Sequence, residues 1–216
     1  MLCSFQVHLY PGCGKTTIAR LIAEHTNLYF EQISAVFSGV ADLKRVFQYA
    51  QDRRATQGKG TLLFVDEIHR FNKSQQDGFL PYVEDGTIIL VGATTENPSF
   101  ELNAALLSRC QVFVLNRLDA DALEQLLQRA ERETGRRLPV DEEARAFMKE
   151  IADGDGRYIL NLCESVFAYA KEGETFDKDS ILKIVRSRAP IYDKGRDGHY
   201  NLISAVHKSL RGNQII

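Results

Sequence analysis

The feature that most constrains this chain is a glycine-rich turn between an apolar run and a helical stripe. The turn spans Pro11–Thr17 and reads Pro-Gly-Cys-Gly-Lys-Thr-Thr. The apolar run Phe5–Tyr10 precedes it, and apolar residues recur at helical spacing over Thr17–His25. A strand, a tight turn and a helix in this order are typical of a sheet whose faces are covered by helices.

Four more segments of strand length follow, two of them fully apolar, and they lack the alternation of a half-exposed strand. They lie at Leu28–Ile33, Thr61–Val65, Thr87–Val91 and Gln111–Leu115. Helices are predicted between them, over Asp42–Arg53, Ser74–Val83 and Leu102–Ser108. Strands buried on both faces and alternating with helices predict an α/β fold, with a five-stranded parallel sheet flanked by helices.

The pattern changes after Asn116, where only helices are predicted. They cover Asp119–Glu133, Asp141–Asp153, Arg157–Lys171 and Asp177–Arg188, and an aspartate stands at the expected N-cap of three of them. A loop and a further helix, Tyr200–Leu210, close the sequence. We therefore predict three segments: an α/β core over 1–115, an all-α lid bundle over 116–189, and a linker with the first helix of a C-terminal domain over 190–216.

Composition narrows the class of protein. The chain has 216 residues, 44% of them hydrophobic and 26% charged, without a long apolar run or a signal-peptide pattern. We therefore expect a cytoplasmic protein that does not enter a membrane. The four cysteines lack metal-ligand spacing. Because the net charge is only −2, any contact with nucleic acid must be local or supplied by several subunits.

The glycine turn predicts a phosphate site. Backbone amides of such a turn wrap phosphate oxygens, and the following helix directs the positive end of its dipole toward them. Lys15 would reach the β- and γ-phosphates of ATP, and the hydroxyl of Thr16 would hold Mg²⁺. The predicted nucleotide-binding residues are Pro11, Gly12, Cys13, Gly14, Lys15, Thr16 and Thr17. An ordinary strand–turn–helix is the alternative interpretation.

Two carboxylates follow the apolar run 61–65. Ligands of open α/β sheets bind at the carboxyl ends of strands. We expect Asp66 to hold Mg²⁺ and Glu67 to polarise the attacking water. Thr94 and Thr95 follow the next strand, where a hydroxyl can contact the γ-phosphate or that water. The alternative interpretations are an ordinary strand end for the two acids and a simple turn for the two threonines, with no catalytic role.

Two arginines are candidates for catalysis beyond these strand ends. Arg109 follows a short helix and would reach the γ-phosphate of a neighbouring subunit, and the alternative is an ordinary surface arginine. Arg157 opens a helix of the bundle and would couple that bundle to the nucleotide, whereas Asp155 is an N-cap in either case. The segment His69–Asn72 forms a moving loop or a solvated helix start, and no role is assigned to it.

These motifs in this order resemble the AAA+ superfamily, and the match is strongest to the replication-associated recombination protein A family. The most specific stretches are Phe64–Asp77, Gly92–Glu101 and Leu106–Cys110, joined by Leu202–Gly212. The resemblance implies a clamp-loader-like ATPase core, a helical lid and a domain that assembles tetramers. It also implies DNA-stimulated ATP hydrolysis at stalled replication forks and contact with single-strand DNA-binding protein.

The resemblance places particular residues by motif position. Lys15 and Thr16 match Walker A, and Asp66 and Glu67 match Walker B. The remaining matches are Thr95 at sensor 1, Arg109 at the arginine finger and Arg157 at sensor 2.

The sequence also departs from the family pattern. Leu9 stands where the first glycine of Walker A is expected, the usual N-terminal segment is not recognisable in 1–8, and the C-terminal domain breaks off after its first helix. A fragment of a longer protein is therefore expected. A nucleotide-gated scaffold with little hydrolysis and a branch-migration helicase remain open as alternative functions.

Overall fold

The computed structural model describes residues 4–9, 12–171 and 173–192. They divide into two compact units, one ending at Arg117 and the other beginning at Leu118. The domain limits stay predictions; the sequence places them at 1–115, 116–189 and 190–216. Nearly all of the third predicted segment, including the helix at 200–210, lies outside the described residues.

The first unit is a five-stranded parallel sheet, which confirms the predicted fold class. Its strands are β1 (Ser4–Leu9), β2 (Tyr29–Ser34), β3 (Thr61–Asp66), β4 (Ile88–Thr94) and β5 (Cys110–Leu115). Their order across the sheet is β2-β3-β4-β1-β5. Every residue of β4 is buried, as is all of β3 except Asp66, and this explains why neither sequence alternates.

Helices connect these strands. They are α1 (Lys15–His25), α2 (Val40–Gln57), a 3-10 turn (Ile68–Arg70), α3 (Lys73–Asp77), α4 (Leu80–Glu84), α5 (Pro98–Glu101) and α6 (Ala104–Leu107). One apolar cluster, which includes Val46, Phe47 and Phe79, packs beside Leu63 and Leu90 of the sheet. A second cluster joins Ala19 and Ala23 of α1 to the sheet at Leu62, Phe64, Val91 and Ala93.

Two helix predictions in this unit need correction. The predicted helix Ser74–Val83 is two short helices, α3 and α4, with Gly78 and Phe79 between them. Pro81 is the reason, because it has no N–H to bond to the carbonyl four residues earlier and is tolerated only in the first turn of a helix. The predicted helix Leu102–Ser108 is confined to α6, and α5 was not predicted at all.

The second unit contains the helices α7 (Ala120–Thr134), α8 (Glu142–Ala152), α9 (Gly156–Tyr169) and α10 (Lys178–Tyr192). Leu127, Met148, Ile159 and Ile181 are among the fully buried residues of their shared core. All four predicted helices are therefore present.

Each of these helices begins at an aspartate whose side chain accepts a hydrogen bond from a first-turn amide. The oxygen-to-nitrogen distances are 2.7 Å for Asp119 and for Asp141, 2.8 Å for Asp155 and 2.9 Å for Asp177. These are the N-caps that the sequence predicts.

A charged network fastens α8 to α7 within the second unit. The Arg145 guanidinium bonds Glu124 at 2.8 Å and Glu131 at 2.9 Å, and Lys149 bonds Glu124 at 2.8 Å. Hydrogen bonding from Arg145, against the opposing effect of burial, lowers the pKa of Glu124 from 4.5 to about 2. These charges satisfy one another.

Candidate nucleotide site

The strand order brings the predicted site residues to one edge of the sheet. In a parallel sheet all carboxyl ends lie at the same edge, and β4 has β1 and β3 as its neighbours. The glycine turn follows β1, the two acids end β3, and the threonines end β4. Two strand spacings separate β1 from β3, about 10 Å. A di- or triphosphate chain can span that distance.

The glycine turn leads into α1 without a side-chain cap. Gly12 and Gly14 have φ angles of 71° and 92°, in the left-handed region that favours glycine. Gly14 is the N-cap residue of α1, and the first intrahelical bond runs from the Ile18 amide to the Gly14 carbonyl. The three amides before Ile18 therefore precede the intrahelical ladder, as an anion site requires.

The side chains of this turn are partly accessible. Lys15 and Thr16 are half-buried, Thr17 is exposed and Cys13 is buried. Pro11 was predicted to bind nucleotide and lies outside the described residues, as does Tyr10. The effect of Leu9 at the position of the first glycine therefore stays a prediction. The nucleotide-binding roles of these residues stay predictions.

The two acids differ in their backbone conformation. Asp66 is the last residue of β3, and its carbonyl accepts a bond from the Ala35 amide at 2.9 Å. Glu67 follows with φ 52° and ψ 45°, a left-handed conformation that is uncommon for a residue with a side chain. Such conformations cluster at functional sites. The turn at Glu67 aims its half-buried carboxylate away from the strand and toward the end of β4.

Glu67 and the threonines after β4 meet directly. The hydroxyl of Thr95 donates to Oε2 of Glu67 at 3.2 Å. Thr95 is exposed, whereas the preceding Thr94 is fully buried. The structure thus brings together the predicted water-activating carboxylate and the predicted sensor hydroxyl, which are 28 positions apart in the sequence.

His69 was given no role from the sequence, and the expectation of a solvated segment is wrong for it. Its side chain is 7% exposed, and its Nδ1 lies 2.8 Å from the Thr94 hydroxyl and 3.3 Å from Oε2 of Glu67. Arg70 is exposed, and Asn72 is the N-cap of α3. Both observations agree with the predicted helix start. The only signal in the sequence was the position of a histidine two residues after a candidate catalytic acid.

Arg109 lies between α6 and β5 and is paired within its own chain. Its Nε donates to Oε1 of Glu84 at 2.6 Å, and its Nη1 donates to the carbonyl of Ala105 at 2.8 Å. The side chain keeps 39% of its surface exposed. Burial raises the pKa of the neighbouring Cys110 thiol to about 11, so the thiol stays neutral beside this cation.

A buried glutamine that the sequence analysis missed holds the segment that leads to Arg109. Gln76 is 1% exposed, and its amide donates to the carbonyls of Phe71 and Glu101 and accepts from the Asn103 amide at 2.9 Å. These bonds tie α3 to the loop between α5 and α6. The start of the short helix before Arg109 is thereby fixed.

Arg157 lies in the second unit, at the second residue of α9, and its side chain is exposed. The preceding Asp155 caps the helix, as predicted. The predicted contact of Arg157 with a nucleotide stays a prediction.

Within the described residues, no helix is both long and apolar enough to cross a membrane.

Comparison with known proteins gives two family matches. Residues 8–118 match the model of the ATPase family associated with various cellular activities, and residues 133–211 match the AAA C-terminal domain. Among solved structures, the RuvB Holliday junction branch migration motor of Thermotoga maritima superposes with a TM-score of 0.66 over 95% of this chain and 75% of that one. The sequences are 21% identical, so this likeness concerns the fold.

Two curated relatives extend the match along the chain. The ATPase WRNIP1 of Dictyostelium discoideum is 46% identical over 97% of this chain, and the replication-associated recombination protein A of Haemophilus influenzae is 46% identical over 94% of it. The chain spans 26% and 47% of the lengths of these relatives. The predicted resemblance is confirmed. The chain belongs to the ATPase family associated with various cellular activities.

Proposed function

We propose that this chain binds ATP at the glycine turn and hydrolyses it with Glu67. The observation that carries the proposal is the contact of the Glu67 carboxylate with the Thr95 hydroxyl, one strand away from a helix N-terminus that has no side-chain cap. The amides of the turn would stabilise an anion, and the carboxylate of Glu67 would polarise water. Both groups lie at the carboxyl edge of the sheet. Both are needed for phosphoryl transfer to water.

The turn residues 11–17 would hold the phosphates through their amides, with the ammonium group of Lys15 on the β- and γ-phosphates. The residues present also fit Mg²⁺, because Thr16 and Asp66 offer oxygen ligands on elements that end at the same edge of the sheet. Bound Mg²⁺ would neutralise charge on the phosphates. Asp66 and Thr16 would orient it, and Glu67 would accept a proton from the attacking water.

Arg109 would act in trans, in a homo-oligomer. In the single chain it rests against Glu84 with part of its guanidinium exposed, so it is held in place and accessible to a neighbour. Arginine fingers supplied by a second subunit stabilise charge in the transition state. Thr95 and Arg157 would sense the loss of the γ-phosphate at the core and at the lid.

The name of one relative, replication-associated recombination protein A, supports a role in replication-associated recombination. We propose that the protein remodels DNA or protein–DNA complexes at stalled replication forks, where it would contact single-strand DNA-binding protein and assemble as a tetramer in the cytoplasm, as the sequence resemblance implies. The small net charge of −2 is consistent with DNA contact that is divided among the subunits of an oligomer.

The test combines nucleotide titration with measured turnover, in the presence of Mg²⁺ and with or without forked DNA. We expect saturable ATP binding and hydrolysis that DNA accelerates. Binding without hydrolysis would favour the nucleotide-gated scaffold, and strand displacement on forked DNA would favour the helicase. Absence of nucleotide binding would refute the proposal.

A mixing experiment tests the subunit interface. Arg109→Ala should abolish hydrolysis and keep nucleotide binding, and Lys15→Ala should weaken nucleotide binding. Mixed oligomers of the two variants should regain part of the activity, because some interfaces then pair an intact turn with an intact finger. Complete inactivity of the mixture would contradict a finger supplied in trans.

A further inference from the structure

The contact between Glu67 and Thr95 belongs to a larger group of side chains that the proposed function leaves unexplained. His69 contributes a buried imidazole, and Thr94 a buried hydroxyl. The Nδ1 atom of His69 lies within 2.8 Å of the Thr94 oxygen and 3.3 Å of Glu67 Oε2. The group therefore joins the end of β3 to the end of β4 through one ring nitrogen.

Hydrogen-bond accounting favours one tautomer of the His69 ring. The Thr94 oxygen accepts from the Glu96 amide at 3.0 Å and lies 3.3 Å from the Glu96 carbonyl. If Nδ1 carried no hydrogen, it and the Glu67 oxygen would be two acceptors facing each other. With hydrogen on Nδ1, the ring donates toward Thr94 and Glu67, and the hydroxyl is free to donate to the Glu96 carbonyl. In the second arrangement no two of these atoms face each other as acceptors.

The backbone is built to bring the ring to this place. The left-handed turn at Glu67 folds the following residues back over β4, where Ile68 packs directly on Gly92. A Cβ atom at Gly92 would lie 2.9 Å from Cδ1 and 3.2 Å from Cγ2 of Ile68. Only glycine permits this approach without a shift, so the close packing of Ile68 holds His69 above the end of β4.

We propose that His69 is a positioning residue that orients the Glu67 carboxylate and ties it to the end of β4. The carboxylate accepts a hydrogen bond from Thr95, and Nδ1 of His69, which bonds Thr94, lies 3.3 Å from the same carboxylate oxygen. A carboxylate held from two sides keeps one orientation toward the attacking water, and its position follows any movement of residues 94–95. This inference rests on the proposed role of Glu67 in hydrolysis.

The kinetic test uses a matched pair of substitutions in the full chain. His69→Asn keeps an amide donor near the position of Nδ1, whereas His69→Gln moves the amide to the position of Nε2. We expect His69→Ala and His69→Gln to lower kcat about 10- to 100-fold, the effect of losing a hydrogen bond to a charged group. The Asn variant should recover most of the rate, and KM and nucleotide affinity should change in none of them.

A double-mutant cycle and a spectrum complete the test. Thr94→Val removes the hydroxyl at nearly constant shape, and combining it with His69→Ala should cost no more than either change alone. Nitrogen-15 spectra of the neutral imidazole should show hydrogen on Nδ1 of His69, independently of activity. The exposed His25, which bonds the Leu21 carbonyl, provides the control, and His25→Ala should leave turnover unchanged.

The outcomes separate the inference from the proposed function. A chain that binds ATP and hydrolyses it equally well with His69→Ala would refute the positioning role and leave the function intact. Recovery by Gln as good as by Asn, or hydrogen found on Nε2 instead of Nδ1, would also refute it. Failure of the unaltered chain to hydrolyse ATP would refute the function itself, whereas the tautomer would still be measurable.

Discussion

The helices of the second unit and helix α1 of the first unit differ at their N-termini. In the second unit, α7, α8 and α9 begin at Asp119, Asp141 and Asp155, and each aspartate accepts a first-turn amide hydrogen. In the first unit, α1 begins at Gly14, without a side-chain cap or an acid in its first turn. The uncapped amides carry the positive end of the helix dipole and need an anion.

The charged network of the second unit and the strand end at Glu67 differ in the same way. Arg145, Glu124, Glu131 and Lys149 neutralise one another inside the second unit. In the first unit, Glu67 accepts a hydrogen bond from Thr95 at Oε2, and Lys15, which follows the glycine turn, is half-buried. The difference teaches that polar groups satisfied within the chain stabilise the fold, whereas those left accessible at strand and helix ends are available for chemistry.

The largest effect expected from this division concerns Glu67. Glu67→Gln keeps the shape of the side chain and removes the base, so turnover should fall about 10²- to 10⁴-fold. Nucleotide affinity and the free energy of unfolding should stay close to those of the unaltered chain. Steady-state hydrolysis and isothermal titration measure both quantities. Unchanged turnover would mean that Glu67 is not the base.

Lys15 and Lys149 sharpen the comparison as a matched pair. Lys15→Ala should weaken ATP binding about 10- to 150-fold, because a charge-assisted contact with phosphate is lost. Lys149→Ala breaks only the bond to Glu124, so it should lower the free energy of unfolding and leave ATP affinity unchanged. Titration and urea unfolding of both variants check this. If both variants lost ATP affinity equally, the two lysines would not differ in role as the comparison predicts.

Acid should weaken the second unit through Glu124. Its pKa is lowered in the folded chain, so its stabilising contribution is complete above its ordinary value of 4.5 and is lost as the pH falls toward 2. Glu124→Gln should cost about 1–2 kcal/mol at neutral pH, since the network is partly exposed, and almost nothing near pH 2. Urea unfolding across this range provides the measurement.

The control for the acid effect is Glu133, which lies on the same helix in a weak, exposed ion pair with Arg129 at 4.0 Å. Glu133→Gln should leave both the stability and its pH dependence nearly unchanged. A pH profile of Glu124→Gln that runs parallel to that of the unaltered chain would show that this carboxylate does not stabilise the fold.

The smallest expected effect comes from a single cap. Asp141→Ala should lower the free energy of unfolding by about 1 kcal/mol and leave nucleotide binding unaffected. The exposed Glu164 of α9 is the control, and Glu164→Ala should change stability by less than about 0.5 kcal/mol. Thermal unfolding with and without ATP measures both. A change in ATP affinity caused by Asp141→Ala would argue against a purely structural cap.

Much of the architecture could be predicted because local signals and packing agree. Segments of strand length without a helical pattern predicted all five strands, and aspartates predicted the starts of the second unit's helices. The sequence did not predict features that depend on the tertiary or backbone surroundings of a single residue. Pro81 divides a predicted helix, and Gln76 is buried because it bonds three separate backbone groups. Such long-range bonds leave no periodic pattern in the sequence.

The sequence by itself determined the class of fold and the residue types available for phosphate chemistry, since apolar periodicity and a glycine turn depend only on neighbouring positions. The tertiary structure alone decided that Glu67, His69, Thr94 and Thr95 form one group, and that Arg109 rests on Glu84. The physical reason is that strand order and the close packing of Ile68 on Gly92 set distances between residues far apart in the chain.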